Sequence, residues 1–421
     1  MSEQKVMNRN LIVIGAILIQ LCLGAIYAWS VFTPPLTKAG WTKADTQIVF
    51  SAGLATFAVV MVIAGRMMPK IGPRKLAMVG GVVLGLGYVL AGVVGGTSFW
   101  AIFFFVGIVA GAGIGLGYVV PIAVGMRWFP DKKGLITGLA VAGFGFGALL
   151  WIKLADNWGH LLDSDMLGLS GTFTAYGVIF LVTVVIGGIP MVFPPEGWKP
   201  AGWTAPQPRA GQVVAGATDF TSSEMLRTPQ YYMILLTFVF GASAGLMSIG
   251  LMKLFPMHAL QGAGFDEKTA SGIAGTAMGV FYALANGIGR IAWGTISDKL
   301  GRKPSIVLMT ASQGVVVILF QWMAGNEAFL YVGATLIGFN FGGNFALFPT
   351  ITADTFGARY VGQNYGWVFL AYGVGGILGP ILGGMLGDMG NFPLAFSICG
   401  ALCLVAACII AFVKHPRKAA A

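Results

Sequence analysis

GVFYALANGIGRIAWGTISDKLGRK, residues 279–303, is the stretch whose reading decides the fold. Its first half is apolar enough to cross a bilayer, yet it carries Arg290. A charged side chain at the centre of a spanning helix costs about 3 kcal/mol or more, so it faces protein or water and marks a function. Tyr282, Asn286 and Arg290 fall at i, i+4 and i+8, which puts a hydroxyl, an amide and a guanidinium on one helix face. The planar fork of a guanidinium matches a carboxylate, so the stretch predicts an anion site between helices. The competing reading is an arginine that snorkels to the surface from a helix end. Asp298 is too far along the helix to serve as its counter-ion, at about 12 Å of rise, which a long side chain only partly bridges.

Outward from that stretch, composition describes a polytopic membrane protein. Of 421 residues 57% are hydrophobic and 10% charged, against about 25% charged in an ordinary soluble domain, and the mean hydropathy is +0.82. The 64 glycines let helices approach closely. Apolar windows fall near 11–33, 47–68, 76–96, 99–124, 135–155 and 172–194, then near 229–256, 269–294, 304–324, 328–350, 364–387 and 391–413. The expected architecture is all-α, with twelve transmembrane helices in two six-helix pseudo-symmetric bundles, residues 1–194 and 229–421. A polar, Pro-rich cytoplasmic linker, 195–228, joins them.

Where the charges sit matters more than the net charge of +10. Of the 25 Lys and Arg, nineteen fall in the segments that share a side with the amino terminus and five in the segments opposite, with Arg290 itself inside a span. Basic residues gather on the cytoplasmic side, which places both termini there. They are spread over short loops and form no groove, so nucleic acid is excluded as a partner. Cys22, Cys399, Cys403 and Cys408 lie in apolar spans without metal-ligand spacing to a histidine, and read as small buried hydrophobes. The start, MSEQKVMNRN before a long apolar run, has no small-residue cleavage site and reads as leading into a retained first span.

The two halves repeat. GLAVAGFGFGALL at 138–150 matches GWVFLAYGVGGIL at 366–378, an offset of 228 that also places Pro121 on Pro349 and Gly115 on Gly343. The loop GRMMPKIGPRK at 65–75 answers GTISDKLGRK at 294–303. Such a repeat predicts a binding site near the midplane between the halves, with the glycine-rich fifth and eleventh spans tightly packed or mobile.

The fifteen acidic residues fall in loops or at span ends, and His160, His258 and His415 lie in loops or near helix ends. An intramembrane hydrolase or a carboxylate-relay pump needs such groups within the membrane, so the enzyme reading is poor. No GxxxxGK[ST] phosphate loop is present, and nothing calls for a metal or a cofactor. What remains is one buried cation with aromatic candidates around it: Tyr27, Tyr118, Phe144, Phe341, Phe345 and Tyr372. Tyr118 and Phe345 stand out because they lie beside the glycine runs GAGIGLGY and GFNFGGNF, which open space next to them. Aromatics within spans are otherwise mostly packing or lipid contacts. Asp298 opposite Arg302 and Lys303 reads as an ion cluster that biases one conformation, since exposed pairs contribute under about 1 kcal/mol.

These motifs resemble the major facilitator superfamily over essentially the whole chain. GTISDKLGRK, Gly294 to Lys303, is similar to the family's signature loop between helices 2 and 3 in its second-half copy, while the first-half copy has Pro69 where the family has Asp. RWFPDKKGLITG at 127–138, SSEMLRTPQYY at 222–232, NGIGRIAWGTISDKLGR at 286–302 and ALFPTITADTFG at 346–357 resemble the oxalate:formate antiporter group and its bacterial monocarboxylate (lactate) transporter relatives. The resemblance implies the major facilitator fold and a rocker of two bundles passing a small carboxylate. It implies that Arg290 matches the arginine that holds the anion and that Tyr372 occupies the position of a second cation, a lysine. With one cation a dianion keeps an uncompensated charge, so a monocarboxylate fits better. By position in the same motifs, Tyr27, Tyr118, Phe144, Phe341 and Phe345 line the cavity and Asn286 flanks Arg290. Asn286 stands where animal monocarboxylate transporters have a proton-coupling aspartate, and it does not titrate.

The expected function is therefore a bacterial inner-membrane carrier of L-lactate or pyruvate, working by alternating access in symport with a proton and sufficient as a monomer. The runner-up is an oxalate/formate or other carboxylate exchanger. Two readings from other classes are a non-transporting carboxylate sensor on the same fold, and a carrier of a neutral or cationic solute, for which Arg290 is a liability.

Overall fold

The computed structural model describes residues 7–155, 158–162, 165–200, 202–203, 219–252 and 254–416. Twelve long helices organise them: α1 Asn10–Leu23, α2 Lys43–Ile71, α3 Pro73–Leu90, α4 Gly111–Trp128, α5 Lys133–Ala155 and α6 Gly168–Gly188 in the first half. The second half holds α7 Pro229–Leu251, α8 Ala283–Leu300, α9 Arg302–Met323, α10 Glu327–Phe356, α11 Val361–Asp388 and α12 Phe392–Ala411. Part of the expected linker, residues 204–218, lies outside the described residues.

Among the described residues ten helices are long and apolar enough to span a bilayer by length and composition alone. The two long helices outside that set are α8 and α10. The reason is their polar content: α8 carries Asn286 and Arg290, and α10 carries Asn340 and Asn344, all buried. Polar side chains that are tolerable only against protein lower the hydropathy of the helices that hold them.

The chain divides into two compact units. One comprises Met1–Asp131 and Leu139–Ala205, and the other Lys132–Gly138 and Pro206–Ala421, so the first turns of α5 group with the second unit. Inside the first unit α3 packs along α6, and α4 packs on both α2 and α3. Inside the second, α9 packs along α12, α8 along α10 and α7 along α11. The pairings α3–α6 and α2–α4 thus recur as α9–α12 and α8–α10, the structural form of the sequence repeat.

The ends of these helices follow from local chemistry. Thr42 caps α2 reciprocally with Asp45, whose amide donates to the Thr42 hydroxyl at 3.1 Å while the Thr42 amide donates to its carboxylate at 2.8 Å. Thr228, Asn326 and Asn391 accept the amides that open α7, α10 and α12. Between α2 and α3 stands Gly72 at φ 80°, and between α8 and α9 Gly301 at φ 94°, the left-handed region that favours glycine. The glycines of α5 and α11 are tightly packed. A Cβ on Gly143 would meet the Ile17 carbonyl at 3.0 Å, and one on Gly375 the Val239 carbonyl at 2.9 Å.

Candidate functional site

Helix α8 is preceded by a continuous helical stretch, Glu267–Thr276, and a π-helical turn, Ala277–Tyr282. Such wide turns are rare and concentrate at functional sites. Immediately after it the polar stripe runs inward: Tyr282 is 3% exposed, Asn286 6% and Arg290 0%. The snorkelling reading of Arg290 is thereby excluded. Arg290 Nε donates to Asn286 Oδ1 at 3.0 Å, and its Cζ lies 4.1 Å above the centre of the Phe345 ring. Both are neutral groups, and together they fix the plane of the guanidinium.

Helix α10 supplies the ring below. It approaches α8 through glycines: a Cβ on Gly342 would strike the Asn286 carbonyl, one on Gly338 the Tyr282 carbonyl, and one on Gly289 the Phe339 carbonyl. Backbones in contact bring Phe345 beneath Arg290. Phe345 meets Phe341 edge-on at 5.3 Å and Tyr372 at 5.4 Å, and Tyr372 stacks on Phe369 at 5.1 Å. The Tyr282 hydroxyl donates to the Gly245 carbonyl on α7 at 3.3 Å.

The other candidates form a cluster inside the first unit. Tyr27, on the 3-10 stretch Gly24–Phe32 that continues α1, packs edge-on against Phe144 of α5 at 5.0 Å. Tyr118 of α4 meets Phe144 at 5.3 Å. Phe57 of α2, absent from the sequence reading, completes the group at 5.0 Å from Tyr118 and 6.1 Å from Phe144. Gln20 of α1 donates to the Tyr118 carbonyl at 3.1 Å and holds that turn of α4. Each candidate therefore sits with others of its own unit, Tyr27, Tyr118 and Phe144 in one, Asn286, Arg290, Phe341, Phe345 and Tyr372 in the other. Sequence reasoning missed Phe57 and Phe369 because an aromatic in an apolar run carries no periodic or polar signal.

The signature loop makes a different cluster, all of it within the second unit. The Asp298 carboxylate accepts from the amides of Gly134 at 2.9 Å and Leu135 at 2.8 Å, which open α5, and pairs with Arg302 Nη1 at 2.7 Å. A carboxylate on the unsatisfied amides of a helix start is favoured by hydrogen bonding and by the helix dipole. Arg302 Nε reaches Asp354 of α10 at 2.9 Å, and Lys133 Nζ binds the other oxygen of that carboxylate at 2.8 Å. Burial works to raise the Asp354 pKa, and the charges of Lys133 and Arg302 outweigh it, holding the carboxyl below its ordinary value. Gly294 admits this contact, because a Cβ there would strike the Gly134 carbonyl.

Lys303 corrects the expected cluster. Its Nζ points to the end of α12, donating to the carbonyls of Ala411 at 3.2 Å and Val413 at 3.4 Å, where a cation satisfies groups the helix leaves open. Lys133 and Asp354 take the place the sequence reading gave it. Their pairing spans 221 positions and has no local signature.

Twelve long helices with a repeated packing pattern, a buried arginine among aromatics and a charged cluster at the helix ends define a polytopic membrane carrier. The chain belongs to the Major Facilitator Superfamily, whose family model matches residues 12–281 and 268–421. It is a transporter of that superfamily. It is 28% identical over 374 residues to the uncharacterized MFS-type transporter YhjX of Escherichia coli (strain K12), covering 88% of this chain and 86% of that one. To the oxalate:formate antiporter of Oxalobacter formigenes it is 28% identical over 248 residues, 58% of this chain and about half of the antiporter (54%). The crystal structure of the E. coli fucose:proton symporter FucP superposes with a TM-score of 0.65, covering 96% of this chain and 98% of that one at 14% identity, a likeness of fold alone.

Proposed function

We propose that the protein is a secondary carrier of small monocarboxylates, L-lactate or pyruvate in the first place, working in symport with a proton across a bacterial inner membrane with both termini cytoplasmic. The observation that carries the reading is Arg290, wholly buried on a spanning helix and held in plane by Asn286 and Phe345. A buried guanidinium costs about 3 kcal/mol or more, and a bound carboxylate offsets that by pairing with its fork.

On this reading Arg290 holds the carboxylate and Asn286 keeps the guanidinium turned toward it. Phe341, Phe345 and Tyr372 shape the apolar side of the substrate, and Tyr118, with Tyr27 and Phe144, supplies contacts from the first bundle. Neutral Tyr372 beside a single arginine suits one negative charge and leaves a dianion undercompensated. Asn286 does not titrate, so the cotransported proton travels with the substrate or on water. Asp298, Arg302 and Gly294 hold helix ends in one conformation, together with Lys133 and Asp354. The bundles are residues 1–194 and 229–421, joined by the linker 195–228.

A second reading, exchange of one carboxylate for another, is favoured by the name of the relative from Oxalobacter formigenes. Uptake of labelled L-lactate into proteoliposomes, with and without an inward proton gradient, separates the two for wild type and Arg290→Lys. Gradient-driven uptake abolished by Arg290→Lys supports carboxylate symport. Uptake indifferent to the gradient and stimulated by internal formate or lactate supports exchange. Normal transport by Arg290→Lys refutes the carboxylate site.

A further inference from the structure

We propose that Gly245 on α7 is a positioning residue that sets the size of acid the Arg290 site accepts, by leaving room for the ring of Phe341. The inference rests on the carboxylate reading above and adds a residue that touches no substrate.

An ideal Cβ on Gly245 would fall into the Phe341 ring, 2.5 Å from Cγ and 2.6 Å from Cε2, with Cδ2 closer still. Real Cβ atoms do not come within 3 Å of another heavy atom, so a methyl group there displaces the ring. Phe341 is 0% exposed and has few places to go. On one side it meets Phe345 edge-on at 5.3 Å, and Phe345 lies 4.1 Å beneath the Arg290 guanidinium. On another it faces Tyr282 at 6.4 Å, whose hydroxyl is tied to the Gly245 carbonyl. Helix α10 as a whole cannot back away toward α8, because Gly338 and Gly342 already touch the α8 backbone. Interiors packed to crystal density pass such a displacement on. The ring therefore swings toward Phe345, and one methyl group on α7 reaches the arginine through two aromatic side chains.

Gly241, one turn earlier on the same helix, supplies a control. The three atoms nearest a Cβ there belong to the carboxamide of Asn344, at 3.0, 3.8 and 3.9 Å, and that group, which donates to the Phe341 carbonyl at 2.9 Å, has to give by only a few tenths of an ångström. Alanine at either position removes one glycine from α7, but only alanine at 245 drives a methyl group into the Phe341 ring.

Uptake of labelled formate and L-lactate into proteoliposomes tests this with Gly245→Ala, Gly241→Ala, Phe341→Leu and the double variant Gly245→Ala/Phe341→Leu. Formate carries no carbon beyond its carboxylate and does not need the space. Gly245→Ala is expected to raise the KM for lactate relative to formate about tenfold, the discrimination an apolar wall gives for about one methylene. Gly241→Ala leaves the ratio unchanged, Phe341→Leu alone shifts preference toward longer acids, and the double variant returns the ratio toward wild type. An unchanged ratio in Gly245→Ala overturns the proposal. So does a loss for both acids that Phe341→Leu does not repair in a double variant that melts like wild type. If Gly245→Ala does not fold, Phe341→Leu decides alone, and an unchanged size ranking overturns the inference. Arg290→Lys in the same assay keeps the two proposals apart: normal uptake there refutes the carboxylate site, whereas abolished uptake with an unmoved ratio in Gly245→Ala refutes only the role of Gly245.

Discussion

Asn286→Asp converts the amide that holds Arg290 into a competitor for it. The Asn286 oxygen already lies 3.0 Å from Arg290 Nε, so an ionised aspartate in the same rotamer forms a charge-assisted hydrogen bond without rearrangement. Hydrogen bonds to charged groups contribute about 1.5–3 kcal/mol, and on the proposed reading a substrate carboxylate must overcome an added attraction of up to that size to bind. At 1.4 kcal/mol per decade the KM for lactate rises about tenfold, and by no more than about 150-fold, where the aspartate is ionised. Acidification that protonates it restores a neutral neighbour, so the KM falls back toward wild type. The assay is lactate uptake into proteoliposomes over a range of external pH, with internal pH fixed, alongside wild type and Asn286→Gln. Glutamine preserves neutrality and lacks the pH-dependent loss. A KM for Asn286→Asp that tracks wild type at every pH would mean that substrate does not meet Arg290.

Two further changes probe different parts of the molecule. Asp354→Asn leaves Lys133 and Arg302 facing each other without the carboxylate they share; at 16% side-chain exposure the loss is about 2 kcal/mol, below the 3–5 kcal/mol of a fully buried broken pair, and it lowers the melting temperature in detergent by several degrees. Because the Asp354 pKa is depressed by folding, its contribution is complete above the ordinary carboxyl value of 3.8 and is lost only as pH falls through the lower folded value. The wild-type excess over Asp354→Asn should therefore stay constant between neutral pH and about pH 5, and its disappearance within that window would contradict the assignment. Tyr372→Lys adds a second cation beside Phe345 and should raise affinity for oxalate relative to lactate in competition uptake; no change in that ratio would mean Tyr372 does not face the substrate.

How much of this was legible in the sequence depended on whether a signal was periodic. Tyr282, Asn286 and Arg290 were readable because polar residues at helical spacing in an apolar run have one physical explanation, a face turned to protein, and all three are buried. The same polarity keeps α8 and α10 out of the ten helices that hydropathy marks as spans. Phe57 and Phe369 gave no such signal, since nothing distinguishes a clustered phenylalanine from a lipid-facing one before the helices are packed. Lys133 and Asp354 were hidden for another reason. Each lies at a helix end, where charge is expected on topological grounds, and nothing local pairs residues 221 positions apart. Lys303 failed in the opposite direction: proximity to Asp298 in sequence suggested a pair, but it lies in the first turn of α9 and its side chain meets the open carbonyls at the end of α12.

On the proposed reading, the charge of the site changes on binding in a way that bears on the transport cycle. With Asn286, Phe345 and Tyr372 all neutral, the site carries one positive charge when empty and none when it holds a monocarboxylate. Enclosing a charge in a low-dielectric interior is costly, whereas enclosing a paired, hydrogen-bonded ion pair costs less. The loaded carrier then passes through closed states more readily than the empty one, and the carboxylate acts as the counter-ion that permits closure. The hydrogen bond from Arg290 Nε to Asn286 and the Phe345 ring 4.1 Å from Arg290 Cζ reinforce this, because both hold the guanidinium in place when its substrate leaves. Exchange of one monocarboxylate for another uses only the neutral pair, whereas net symport also encloses a proton, +1 in all, and needs the return of the empty, singly charged carrier, so exchange runs faster than net uptake. Stimulation of uptake by internal lactate is therefore compatible with symport, and the response to a proton gradient is what separates the two modes.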